Sequence, residues 1–143
     1  MPLKIASYPT TKDFKLLKSD PSGETFVTVR QATAGDEIRI SNLFAEQTQI
    51  WDDAEVGRVQ LKRKWNFDER KRFIAYLTVV GCNIETEAGE PLFRFTGGPN
   101  PRLNMSQADF FNAWDKLPQA VADEIYECIL QLNPQWDFSR GED

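Results

Sequence analysis

An α+β fold, helix-dominated with about four helices and a small antiparallel β element, follows from three features of this sequence. The run Phe26-Val27-Thr28-Val29-Arg30 alternates with the period of two that a half-buried strand requires. Apolar residues elsewhere recur at three- and four-residue steps, the spacing of one helix face. Pairs such as Ser106 and Asp109 stand at the separation of a capping box, just ahead of such stripes.

Along the chain, residues 1–23 read as a poorly ordered lead-in. Pro2, Pro9 and Pro21 interrupt it, and Phe14, Leu16 and Leu17 give only a short apolar anchor. Ser19-Asp20-Pro21-Ser22-Gly23 is a turn, because Pro presets one turn dihedral and Gly tolerates the unusual one. A single globular domain is expected over 24–134, opening with a strand from Glu24 to Arg30. Thr33 and Asp36 cap a helix that runs to Trp51, with Ile40, Leu43, Phe44, Gln47 and Trp51 on one face. After Asp52-Asp53 and Gly57, Val59 and Leu61 alternate with Arg58, Gln60 and Lys62, which predicts a second strand over Val56 to Lys64. Asn66 then caps a helix from Asp68 to Val80, striped by Phe73, Ile74, Leu77 and Val80, with Gly81 as a left-handed C-terminal cap. A hairpin is expected between Asn83 and Phe95, and a loop over Thr96 to Pro101, which holds two Gly and two Pro. Ser106 and Asp109 start a helix carrying Phe110, Phe111, Trp114 and Leu117. Pro118 ends it and opens the last helix, striped by Val121, Ile125, Cys128, Ile129 and Leu132. Asn133-Pro134 stops that helix, and 135–143 read as a fraying acidic tail.

The 143 residues suit one domain and bury roughly two-thirds of the unfolded chain's surface. The formal charge of −5 argues against general affinity for phosphate backbones. Basic residues do gather at Arg58, Lys62, Arg63, Lys64, Arg70, Lys71 and Arg72, beside Trp65, Phe67 and Tyr76. That mixture suits stacking on a single strand, although Asp68 and Glu69 interrupt it and a solvated face explains it better. Cys82 and Cys128 form no CxxC pattern, so buried free thiols in a reducing compartment are expected. Met1-Pro2-Leu3-Lys4 opens no long apolar run, and no stretch approaches the roughly 20 apolar residues of a membrane span. A cytoplasmic location is the expectation.

Chemistry is hard to place. With no histidine, the commonest acid–base group and metal ligand are both missing, and Ser-His-Asp or Cys-His arrangements are impossible. Two distant cysteines make a poor zinc site. Neither GxxxxGK[ST] nor GxGxxG occurs, and Gly97-Gly98 reads as a bend. The pairs Asp52-Asp53 and Asp68-Glu69 sit at helix ends, where structural roles account for them. The expectation is therefore a non-enzymatic protein with no catalytic residue, no metal and no cofactor. Aromatic residues offer something else. Trp51, Trp65, Trp114 and Trp136 stand at or beyond element ends, and adjacent Phe110 and Phe111 diverge by about 100° on a helix. Trp51, Phe111, Trp114 and Trp136 are the candidate partner contacts, since aromatic residues are enriched at protein interfaces.

The order of these features resembles the tail assembly chaperones of long-tailed, siphovirus-type bacteriophages. The strand Phe26-Val27-Thr28-Val29-Arg30 leads into a charged helix, followed by a basic strand and Trp65. Then come a helix ending Val79-Val80-Gly81, a polar hairpin, and closing helices introduced by Met105-Ser106-Gln107-Ala108-Asp109-Phe110. The likeness spans residues 24 to 132. It implies a non-enzymatic role in the host cytoplasm: binding the tape measure protein, recruiting tail tube protein, and self-associating as a homo-oligomer. A structural completion or connector subunit kept in the virion is the alternative. A small nucleic-acid-binding regulatory protein using Arg58 to Arg72 comes third.

Overall fold

Strand β2 (Phe26–Arg30) is the alternating run, and it becomes the middle of a three-stranded antiparallel sheet. Its neighbours are β1 (Thr11–Lys15) and β3 (Val79–Cys82). The structure, a computed structural model, describes residues 2–51 and 59–137, with side chains described for 2–43 and 67–137. Among these residues lie four helices: α1 (Ala34–Trp51), α2 (Val59–Thr78), α3 (Gln107–Asp115) and α4 (Gln119–Leu132). A two-stranded ribbon, β4 (Phe95–Thr96) with β5 (Arg102–Leu103), completes an α+β domain in which helix predominates.

Pairing fixes which residues face inward. Phe14, Val27 and Cys82 are cross-strand partners on one face, while Asp13, Thr28 and Gly81 share the other. Val27 and Val29 are fully buried. Between them the β2–β3 register slips by one residue, leaving Val80 as the extra residue of a bulge. Gly81 is glycine for lack of room: a Cβ there would stand 3.2 Å from both Cβ and Oγ1 of Thr28.

Two expectations fail here. The expected lead-in 1–23 contributes to the fold through its residues 11–16, which supply β1 and the fully buried Leu16. An edge strand with a single apolar residue, Phe14, owes its existence to ladder bonds with β2, a non-local cause that local pattern misses. The strand expected over Val56 to Lys64 is helical from Val59 onward, its first three residues lying outside the described ones. Gln60, Leu61, Lys62, Arg63 and Lys64 are all good helix formers with no branching at Cβ, and that outweighs an alternation resting on two apolar residues. Asn66, expected as the cap, therefore sits inside α2. The helix stops at Thr78, whose hydroxyl donates to the Ile74 carbonyl at 2.7 Å. The β-branched Val79 and Val80 join the sheet, so Gly81 is a strand residue with no positive φ.

Other local signals hold. In the β1–β2 turn Asp20 accepts from the backbone and hydroxyls of Ser22 and Thr25, and Gly23 adopts φ +76°. Thr33 and Asp36 form the reciprocal capping box of α1. Ser106 caps α3 by accepting from the Asp109 amide at 3.1 Å. The hairpin after Asn83 turns at Gly89, φ +81°, with a single bridge between Glu85 and Pro91.

One apolar core joins sheet and helices. Ile125 and Ile129 of α4 meet the β2 valines and Leu16, while Phe110 stacks between Phe93, Tyr76 and Trp114 at 5.1–6.1 Å between ring centroids. Two buried polar side chains lock this assembly. Glu124 accepts from the Lys18 and Ser19 amides and the Ser19 hydroxyl, pinning the end of the β1–β2 hairpin to α4. Asn133, fully buried, accepts from the Ala32 amide at 2.8 Å and donates to the carbonyls of Ile129 and Arg30.

Beyond Asn133 the chain does not fray at once. A 3-10 turn over Pro134–Trp136 returns the Trp136 indole to the core at 1% exposure, and its Nε1 donates to Glu37. Only residues 138–143 of the expected tail lie outside the described ones.

Candidate functional site

The clearest concentration of candidate residues lies where α2, α3 and α4 meet. The α2 segment Phe67–Arg72 displays side chains toward α3 and α4, and the capped start of α3 fixes the direction of Phe111 and Trp114. A cleft of about 350 Å³ opens there, walled by Asp68, Lys71, Arg72, Trp114, Asp115 and Asp123. Arg72 grips Asp115 with Nη1 at 2.8 and 2.9 Å and reaches Glu69 with Nη2 at 3.4 Å. Its guanidinium lies 4.1 Å from the centroid of the Phe111 ring, a cation–π contact. Lys71 caps the rings of Phe67 and Tyr126 at 4.8 and 5.3 Å, with Asp123 at 3.9 Å. At the edge of this arrangement Phe67 remains 43% exposed.

The four candidate contacts divide. Phe111 and Trp114 come together on α3, but each is engaged within the chain. Phe111 is half-buried between Arg72, Tyr76 and Phe110, and Trp114 is buried against Phe110 with part of its indole at the cleft wall. Both phenylalanines of the Phe110-Phe111 pair are accommodated because α3 faces the aromatic core on one side and α2 on the other. Trp136 is a core residue, so its indole is not available to a partner at the surface. The side chain of Trp51 lies outside the described residues.

Sequence reasoning missed Ile38, and it named Phe67 only as a stacking neighbour of the basic stretch, not as a protein contact. Ile38, 61% exposed, lies off the α1 stripe that begins with the buried Ile40. An apolar residue off the stripe of an amphipathic helix is the signal that would have found it. Leu3, Ile5 and Leu17 are likewise open to solvent.

The reactive groups are poorly disposed for attack. Burial pushes the Cys82 thiol up to about 11. It does the same to Cys128, with Glu124 and Glu127 adding to the effect. Thiols in that range are almost wholly protonated at neutral pH. Among the described residues no group of three or more Cys, Asp or Glu side chains is placed to hold a metal ion. No described helix is long and apolar enough to cross a membrane.

The basic stretch also looks different in three dimensions. Arg70 is 5% exposed, whereas the sequence suggested a solvent-facing side chain. Lys71 and Arg72 are committed to the aromatic and acidic partners above. Residues 58–66 of the stretch lie outside the described side chains. The described basic groups of α2 are thus spent on holding helices together, not displayed in a row for phosphates.

Comparison with family models, curated proteins and solved structures returns no match for this chain.

Proposed function

We propose that this protein acts by holding other proteins, as a tail assembly chaperone of the long-tailed bacteriophage type. In this reading it binds the tape measure protein in the host cytoplasm, recruits tail tube protein, and works as a homo-oligomer without catalysing a reaction. The observation that carries the reading is the set of large apolar side chains left in solvent, among them Ile38 and Phe67 on helices. Ile38 and Phe67 stand on two different helices, and Leu3, Ile5, Leu17 and Phe26 add further exposed apolar surface in the N-terminal part of the chain. Scattered weak apolar contacts suit a long helical client, because several of them along one chain gain by multivalency.

The test is co-expression with the tape measure protein followed by co-purification. The wild type should retain the client, and the double substitution Ile38→Ser with Phe67→Ser should lose most of it with an unchanged melting curve. Full retention by the double variant would remove these side chains from the interface. Stoichiometric presence of this protein in purified mature virions would favour a structural tail subunit instead.

A further inference from the structure

A second concave site shares no lining residue with the first, and Phe111, Trp114 and Trp136 take no part in it. Its cleft of about 460 Å³ is assembled from distant parts of the chain: segment 7–9, the end of β2, the first turns of α1, the α2–β3 junction and β5. Ser7, Tyr8, Thr33 and three arginines, Arg30, Arg39 and Arg102, form its polar rim. Leu77, Val79, Val80 and Leu103 lie beneath as an apolar floor. The Tyr8 hydroxyl donates to the Pro101 carbonyl, which fastens the N-terminal segment across the β4–β5 turn as one wall. Burial pushes the Tyr8 phenol above its ordinary value, while the nearby charges of Arg30 and Arg102 pull it down.

The charges do not cancel. Asp36 neutralises Arg30 through a two-pronged ion pair at 2.7 and 2.9 Å, and among the described residues it is the sole acidic one lining the cleft. Arg39 and Arg102 are exposed and meet no carboxylate among the described residues. Contrast the three described basic residues of α2, every one of which is engaged inside the fold. In a chain of net charge −5, two unspent guanidiniums facing one concavity are a local reversal of sign.

We propose that this cleft binds an acidic peptide segment of a protein partner, with carboxylates on Arg39 and Arg102 and a neighbouring aliphatic side chain on the Leu77–Val79–Leu103 floor. The proposal rests on the reading that the protein works through protein contacts, and it supplies the chemistry of one such contact. A guanidinium presents a planar fork that matches a carboxylate with two parallel hydrogen bonds. An apolar floor has nothing to offer a bare oxyanion, but it accepts the aliphatic side chain next to an aspartate. Nucleic acid fits less well, because its continuous phosphates would meet the acidic remainder of the surface.

The experiment is a fluorescence-polarisation titration of the full chain with a labelled octapeptide of alternating Asp and Leu. A second peptide carries Asn in place of Asp. The wild type should bind the Asp peptide with an affinity that falls as salt rises, and the Asn peptide at least about 10-fold more weakly. Arg39→Glu and Arg102→Glu should each weaken binding by about 10-fold or more, without moving the thermal melt. Should Arg102→Glu disturb the β4–β5 ribbon, Arg39→Glu on exposed α1 carries the decision alone. Absence of wild-type binding, or equal binding by Arg39→Glu, overturns the proposal. So does tighter binding of inorganic phosphate or a single-stranded oligonucleotide at the same arginines. Failure here with the tape measure protein still co-purifying would sink the cleft alone. Success here with no client retained would instead sink the proposed function.

Discussion

Replacing Asp36 by Asn removes one charge from a site where that charge does two jobs. The carboxylate receives Nη1 and Nη2 of Arg30 at 2.7 and 2.9 Å and accepts the Thr33 amide at 2.9 Å, and its own backbone N–H completes the cap on Thr33. Burial alone would raise its pKa, but Arg30 and the Thr33 donors outweigh burial and hold the carboxyl below the ordinary value. The isosteric amide keeps one acceptor for Thr33, so most of the cap, worth about 1 kcal/mol, survives. What is lost is the pair with Arg30. Breaking a fully buried pair costs about 3–5 kcal/mol, and the 16% exposure of the Arg30 side chain lowers that to about 2–3 kcal/mol. At this chain length the melting temperature should fall by roughly 6–12 °C. The sign with pH follows from linkage. A carboxyl with a depressed folded-state pKa contributes stability that is fully present above the unfolded value of about 3.9 and is lost as pH falls through the folded one. Urea unfolding followed by circular dichroism from pH 7 down to pH 3 should therefore show a constant gap between wild type and Asp36→Asn near neutrality, closing in acid. A gap below about 1 kcal/mol at pH 7, or one that persists undiminished at pH 3, would refute the pairing as a source of stability.

Other perturbations test other joints. Trp136→Ala should cost about 3–5 kcal/mol in urea unfolding, because it empties a fully enclosed indole site, whereas a fraying tail would show almost none. Asn133→Ala leaves the Ala32 amide without its acceptor and should cost about 2–3 kcal/mol, with faster hydrogen exchange at Ala32. Gly81→Ala pushes a methyl against Thr28, whose hydroxyl is already held by Asp13 at 2.7 Å; a loss of about 1 kcal/mol is expected by thermal melt. Phe111→Ala removes the ring under Arg72 and should lower stability by about 2–3 kcal/mol. A variant that melts like the wild type while losing only its self-association would restore Phe111 to the interface.

Elements whose cause is local were readable from the sequence. Thr33 with Asp36, and Ser106, announce helix starts because the groups that satisfy the first amides lie within three residues of them. The α4 stripe is legible for the same reason, as Ile125, Cys128 and Ile129 share one face of one helix. Elements whose cause is distant were not. Strand β1 contains one apolar residue and is held by its ladder to β2. Val79-Val80 continues a helical pattern in sequence, and only the waiting edge of β2 turns it into strand. Trp136 stands behind a proline that stops a helix, which reads as an exit from the fold until Glu37 and the α4 core are in place around it.

The same distinction governs the sites. Sequence places Arg70, Lys71 and Arg72 in one basic cluster, the usual mark of an anion-binding surface. Folding divides them from that role, since one is buried and two are drawn onto Phe67, Tyr126, Phe111 and Asp115. Meanwhile Arg30, Arg39 and Arg102, spread over more than seventy positions and unremarkable in the sequence, converge on one concavity with a single compensating carboxylate among the described residues. Charge counted along a chain measures neither burial nor pairing, and both decide what field a partner meets. The basic cluster visible in the sequence serves the fold, and the positive charge open to a ligand comes from residues that only the tertiary structure brings together.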